Sequence, residues 1–414
     1  MNAVQPSALQ LATTGFLARF EGNSGLRANP LRRRAAETLR HVGLPTQREE
    51  AWHFTSLRPL AGVAFQGVHT LHDHGRDMLA RLADISGPRI VFVNGRHDAA
   101  ASEMPDFTTV GEPALDETDD AVSLLNTMFA DDGAHIEIPP GVDHGSVLLA
   151  SIGLADGEPV AFHPRHRVRL HPGARLTLID VSIGRGTYLN NPVFDIEVAE
   201  GATLTHLRLQ DDAIDAFHLS SVRATVATRG TYDSFALTLG ARLARMEVHA
   251  HLTGEHGAAH LNAAQLLGGI QHADFTTVVA HDAPSCASRQ TVKNVLTGKS
   301  RGVFQGRIEV ARIAQKTDGY QMNQALLLSP DAEIDSKPQL QIYADDVKCS
   351  HGATVGELDL DQLFYLRSRG IPEPDARAIL VRAFLAEALD PITHDETRAL
   401  METAIESWWQ GQHP

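Results

Sequence analysis

The chain has 414 residues, 43% of them hydrophobic and 21% charged, with a formal net charge of −15 when its 22 histidines are neutral. That is enough chain for two or three domains around a large core, with the composition of a soluble globular protein. The acidic balance excludes broad nucleic-acid binding, no apolar run approaches the roughly 18 residues of a membrane span, and two distant cysteines cannot staple a fold of this size.

MNAVQPSALQ at the start lacks the basic-then-apolar order of a signal peptide, so the expected home is a reducing cytoplasm without membrane attachment. The first hundred residues read as helical with a small β element. Pro30 precedes a stripe of Leu31, Ala35, Leu39 and Val42, and Gly43 stands in the stopping position. QREEAWHFTSLRPL (47–60) mixes charges with two aromatics, as a docking or packing loop does. RIVFVNGRH (89–97) reads as a short buried strand ending in an Asn-Gly turn, and the acidic stretch 105–120 as a linker.

From about residue 133 to 352 short alternating segments recur: LTLID (176–180), FDIEV (194–198), THLRL (205–209), FALTL (235–239), MEVHAHL (246–252) and IEVARI (308–313). Apolar positions alternate with Thr, Arg, His and Asp, so each strand is expected to bury its apolar face and wet the other. So many strands without intervening helices exclude a doubly wound α/β fold and leave a sandwich, a barrel or a β-solenoid. Repeated turns such as Pro172-Gly173-Ala174 and Glu200-Gly201-Ala202, loosely spaced, favour the solenoid. After Gly356 helices return. One covers 361–368 with Gly370 as its stop, and a second opens at Pro374 with Ile379, Leu380, Ala383, Phe384 and Ala388 on its apolar side. A third has a Thr393/Glu396 capping box and ends near Trp408. These helices either dock a partner or cap the solenoid.

LTGKSRG (296–302) holds the tail of a phosphate-binding loop, but Lys293 stands where its first glycine should be and a strand follows, so the chain does not bind ATP itself. His249, His251 and Glu255 have part of the HxHxxxE spacing of cupin metal sites, and a cupin-like metal-dependent enzyme is the alternative reading. Leu243 and Asn262 occupy the places of that motif's glycines. Cys286, beside Pro284, reads as a small buried residue. No GxSxG elbow is present.

ADDVKCSHGATVGELD (344–359) differs in kind. On a strand, Cys349 and His351 share one face with α-carbons roughly 6.6 Å apart. A thiolate and an imidazole there suit a soft metal or an iron–sulfur centre, yet two ligands do not complete a sphere of four. The missing ligands must come from another chain, from a substrate or from Cys286, and the rival reading is a buried cysteine beside a surface histidine.

The run 291–385, with VFQGRIEVARIAQKTDGYQMNQALLLSPDAEIDSKPQLQIYADDVKCSHGATVGELD and LFYLRSRGI, resembles the SufB/SufD family of iron–sulfur cluster assembly proteins. EEAWHFTSL and CSHGAT resemble the SufD branch. The resemblance implies a mainly β protein, a right-handed parallel β-helix over 126–352 between an N-terminal helical domain (1–125) and a C-terminal helical domain (353–414). It implies no enzymatic activity, pairing with a SufB subunit through the β-helices, and a SufC ATPase docked on the C-terminal helices, where Leu363, Phe364 and Phe384 are the expected contacts. It also implies a transient cluster at the SufB–SufD interface, with His351 and less firmly Cys349 as contributors. No cluster is expected to stay on the isolated chain, which could form a homodimer.

Overall fold

A computed structural model describes residues 7–68, 76–118 and 120–412. Its body is a parallel β-solenoid of two facing sheets, one of ten strands and one of eleven, with successive strands alternating between them. Each coil returns to the same rung after 26 to 32 residues: Phe217 pairs with Leu243, and Arg301 with Glu333. That variation is why the sequence repeat is loose. Helical segments flank both ends, so the fold is mainly β with N- and C-terminal helices. No helix among the described residues is long and apolar enough to cross a membrane.

The N-terminal helices are Ala8–Glu21, Ser24–Ala28 and Pro30–Val42, the last started by Pro30 and ended at Gly43, whose φ of 75° suits glycine. The 47–60 loop is a strap across the chain's own eleven-stranded sheet. Trp52 is buried 4.1 Å beneath the Arg245 guanidinium, the Thr55 hydroxyl donates to Asp274 Oδ2 at 2.5 Å, and Glu50 pairs with Lys337 at 2.8 Å. Arg89–Val93 and Arg96–His97 form the expected hairpin, with Asn94 and Gly95 both at positive φ. The stretch read as a linker is instead packed: Thr108–Gly111 pairs antiparallel with Gly133–Ile138, and Asp116 accepts from Arg165 at 2.9 Å.

In several strands the alternation is the reverse of the expected one. Within Thr203–Asp211 the buried His206, Arg208 and Gln210 lie on the inward face, while Leu207 and Leu209 pack outward with residues of the C-terminal helices. The outer face of this sheet is therefore a second core, and helix Glu373–Leu389 covers part of it. Inside, Arg208 Nε donates to Asp180 Oδ2 at 3.0 Å. Burial would raise the Asp180 carboxyl, but His206 and Arg208 outweigh it and hold the group below the usual range.

The C-terminal helices are Leu360–Ser368, Glu373–Leu389 and Asp395–Gln412. Two local expectations fail here. The middle helix buries Ala378, Val381, Leu385 and Ala388, leaving Ile379 and Ala383 exposed. The Thr393/Glu396 box does not form: Glu396 accepts from the Ser86 amide and hydroxyl, and the His394 ring accepts the Thr397 N–H.

Candidate functional site

The solenoid ends on two strands, Glu333–Ile342 in one sheet and Lys348–Gly356 in the other, each bonded to a neighbour on one side only. Both are largely uncovered, in contrast to every coil before them, and Ile342, Tyr343 and Val355 are exposed. Pro338 and Lys337 blunt the first edge, as proline and lysine do on natural edge strands. The second edge carries no proline and presents an unpaired row of backbone donors and acceptors.

Cys349 and His351 sit on that second edge. Cys349 pairs in register with Gly319 and His351 with Gln321, both buried inward-facing positions, so the two side chains share the inward face of the last coil. With no further coil above them, that face is open. Cys349 is half-buried against Ile308, Leu340 and Val347, whereas His351 is exposed. Burial pushes the Cys349 thiol above its ordinary value; the Gly319 N–H opposes this and Asp318 adds to it. The thiol is therefore protonated at neutral pH. Cys286 is fully buried at a turn two coils deeper, where its thiol donates to the Gly254 carbonyl at 3.2 Å, so it does not join the pair.

The other sequence candidates lie elsewhere. His249 and His251 are on the outer face of Leu243–Leu252, where His249 Nε2 meets Glu247 at 2.8 Å and His251 Nδ1 is 3.8 Å from Asp282. Among the described residues no three His, Cys, Asp or Glu side chains gather as a metal site, so the cupin-like arrangement is not assembled. Gly298-Lys299-Ser300 is a solenoid turn: Gly298 has φ 68° and the buried Ser300 hydroxyl donates to the Leu267 carbonyl.

Of the three residues expected to contact an ATPase, Leu363 is 6% exposed and belongs to the chain's own packing. Phe384 is half-buried, its ring 4.7 Å from the Lys293 ammonium, which also pairs with Glu387 at 2.5 Å. Only Phe364 stands free, at 73% exposure, beside Leu360 and Tyr365. The adjacent Phe-Tyr pair was the signal for this patch, because neighbours on a helix cannot both face one core.

These features define a β-solenoid with an uncapped end and an incomplete thiol–imidazole pair upon it. Residues 153–384 match the family model described as "SUF system FeS cluster assembly, SufBD core domain". The chain is 34% identical over 382 residues to the iron–sulfur cluster assembly protein SufD of Escherichia coli, covering 89% of this chain and 90% of that protein. A SufBD family protein of Synechocystis is 32% identical over 395 residues, covering 87% and 86%, and the chloroplastic protein ABCI7 of Arabidopsis thaliana 28% over 405, covering 91% and 85%. The chain belongs to the SufB/SufD family of iron–sulfur cluster assembly proteins.

Proposed function

We propose that this chain is the SufD-like scaffold subunit of an assembly complex. Its terminal coil pairs with the solenoid of a SufB-type partner, and His351 with Cys349 supplies part of the ligand set for a nascent iron–sulfur cluster. The cluster is cargo of the complex. The observation that carries the reading is the open terminal coil, where a half-buried thiol and an exposed imidazole share one face beside an unpaired strand edge. A burial pattern of this kind is costly on a free surface and is relieved when another chain covers it. The exposed Leu360, Phe364 and Tyr365 provide the apolar patch for a SufC-type ATPase, which would supply the nucleotide hydrolysis that this chain has no loop to perform.

The test is coexpression with SufB- and SufC-type subunits, followed by anaerobic reconstitution and an absorption spectrum. The wild-type complex carries a cluster, and His351→Ala keeps the complex while lowering cluster yield severalfold. An intact complex with wild-type yield from that variant would overturn the assignment of His351; failure to form any complex would overturn the scaffold role.

A further inference from the structure

A cavity of about 780 Å³ lies on the outer face of the ten-stranded sheet, under the turn that joins the last two helices at Pro391–Thr393. Asp233, His260, Arg289, Tyr320 and Ser350 are register partners on five successive strands, and all five line it. At the strand spacing of about 4.8 Å they form a row roughly 19 Å long, parallel to the solenoid axis.

The chemistry of the row is one-sided. The row's carboxylate and a second one in the lining are each paired through one oxygen: Asp233 Oδ1 accepts from His260 Nδ1 at 2.5 Å, and Asp318 Oδ1 accepts from Arg289 Nη1 at 2.9 Å. Each pair fixes the orientation of its cationic or imidazole partner. Among the described residues Arg289 Nε and Nη2, the Tyr320 hydroxyl and the Lys348 ammonium have no hydrogen-bond partner. The wall on the other side is apolar, formed by Leu207, Phe235 and Ile392. A groove with free cationic and hydroxyl donors, carboxylates already paired with His260 and Arg289, and an apolar wall selects a ligand rich in acceptors and carrying a compact hydrocarbon part.

We propose that this groove binds a small molecule bearing clustered oxyanions, a phosphate ester or a polycarboxylate. Arg289, Lys348 and Tyr320 engage the oxyanions, and Phe235 and Ile392 face the hydrocarbon part. Lys348 and Ser350 belong to the strand that carries Cys349, and residues 391–393 belong to the helical segment, so an occupant bridges the two. The groove is formed by this chain alone. A failure of the binding test leaves the scaffold reading standing, and a failure of that reading leaves this one standing.

The experiment is isothermal titration of the full-length chain with inorganic pyrophosphate and, separately, with citrate; the two arms distinguish phosphate from carboxylate recognition. At least one probe binds with a sub-millimolar Kd. The double variant Arg289→Gln, Lys348→Gln weakens that binding at least tenfold, the order expected from losing a charge-assisted hydrogen bond. Its melting temperature stays near that of wild type, because both side chains are at the surface. Arg367→Gln, a surface arginine outside the cavity, leaves Kd unchanged. Absence of binding by both probes up to about 10 mM overturns the proposal. So does an unchanged Kd in the double variant, or an equal loss in Arg367→Gln.

Discussion

Acid should destabilise this protein well before its carboxylates titrate, and three histidines set the size of the effect. His163, His166 and His281 are each at most 4% exposed. Burial pulls them down from 6.5 to about 3, about 4 and about 4; for His163 the Arg19 guanidinium adds to the pull, and the Asn191 side chain opposes it. All three folded values lie below the unfolded one, so it is the charged imidazole that folding excludes. Their contribution is complete above pH 6.5 and is lost as pH falls toward 4 and then 3. Between pH 6 and 5 the unfolded chain holds between two and three more protons on these residues than the folded chain. These three residues therefore lower stability by about 3–4 kcal/mol per pH unit. Denaturant melts followed by circular dichroism at pH 7, 6 and 5 measure the slope. His281→Gln removes one titrating group and cuts it by about a third. A slope below about 1.4 kcal/mol per unit, the value for one proton, would refute the exclusion of charge from these sites.

Gly319→Ala places a methyl 3.3 Å from Cys349 Sγ and 3.2 Å from Ile308 Cδ1, so the thiol is pushed outward and its alkylation at fixed pH accelerates; an unchanged rate contradicts the packing described. Trp52→Ala removes the buried ring beneath Arg245 and costs about 3–5 kcal/mol in denaturant melts, with the strap 47–60 becoming the first site of proteolysis. Val355→Asp puts a charge on the open end without touching the core, so the chain folds with an unchanged melting temperature but, on the proposed pairing, no longer co-purifies with a SufB-type partner.

The strands were legible because their local alternation is strong, and Gly43 and Asn94-Gly95 were legible because left-handed backbone leaves few choices of residue. What alternation does not determine is which face points inward. Leu207 and Leu209 look like core residues and are, but of the outer core beneath the C-terminal helices, while His206 and Arg208 face the interior. A sheet packed on both faces breaks the rule that apolar means inward. Six buried polar residues on successive coils, Ser151, Ser182, Gln210, Thr238, Gln265 and Asn294, stack in register inside the solenoid. Coils of 26 to 32 residues hide that ladder, and the outer row through His260 and Arg289, from any fixed-period search. The middle C-terminal helix was misread for a related reason: apolar residues surround it, and the packed face is the one rich in alanine, which lets the helix approach the sheet.

The position of the Cys349–His351 pair follows from the geometry of a solenoid. Within the stack every inward side chain is enclosed by the coils before and after it, and the interior is filled, so no ligand can approach along the axis. Among the described residues only the terminal coil presents inward-facing residues to the outside, and it presents them from one side. On the proposed reading, two donors two residues apart on one strand give half a coordination sphere at most, and the other half arrives from beyond the end of the stack. The burial-raised thiol is poorly reactive while uncovered, and on the proposed reading Cys349 becomes a ligand when a metal displaces its proton. On the proposed reading the incompleteness is what makes cluster formation depend on pairing, because neither the iron nor the thiolate is held until a second chain closes the coil.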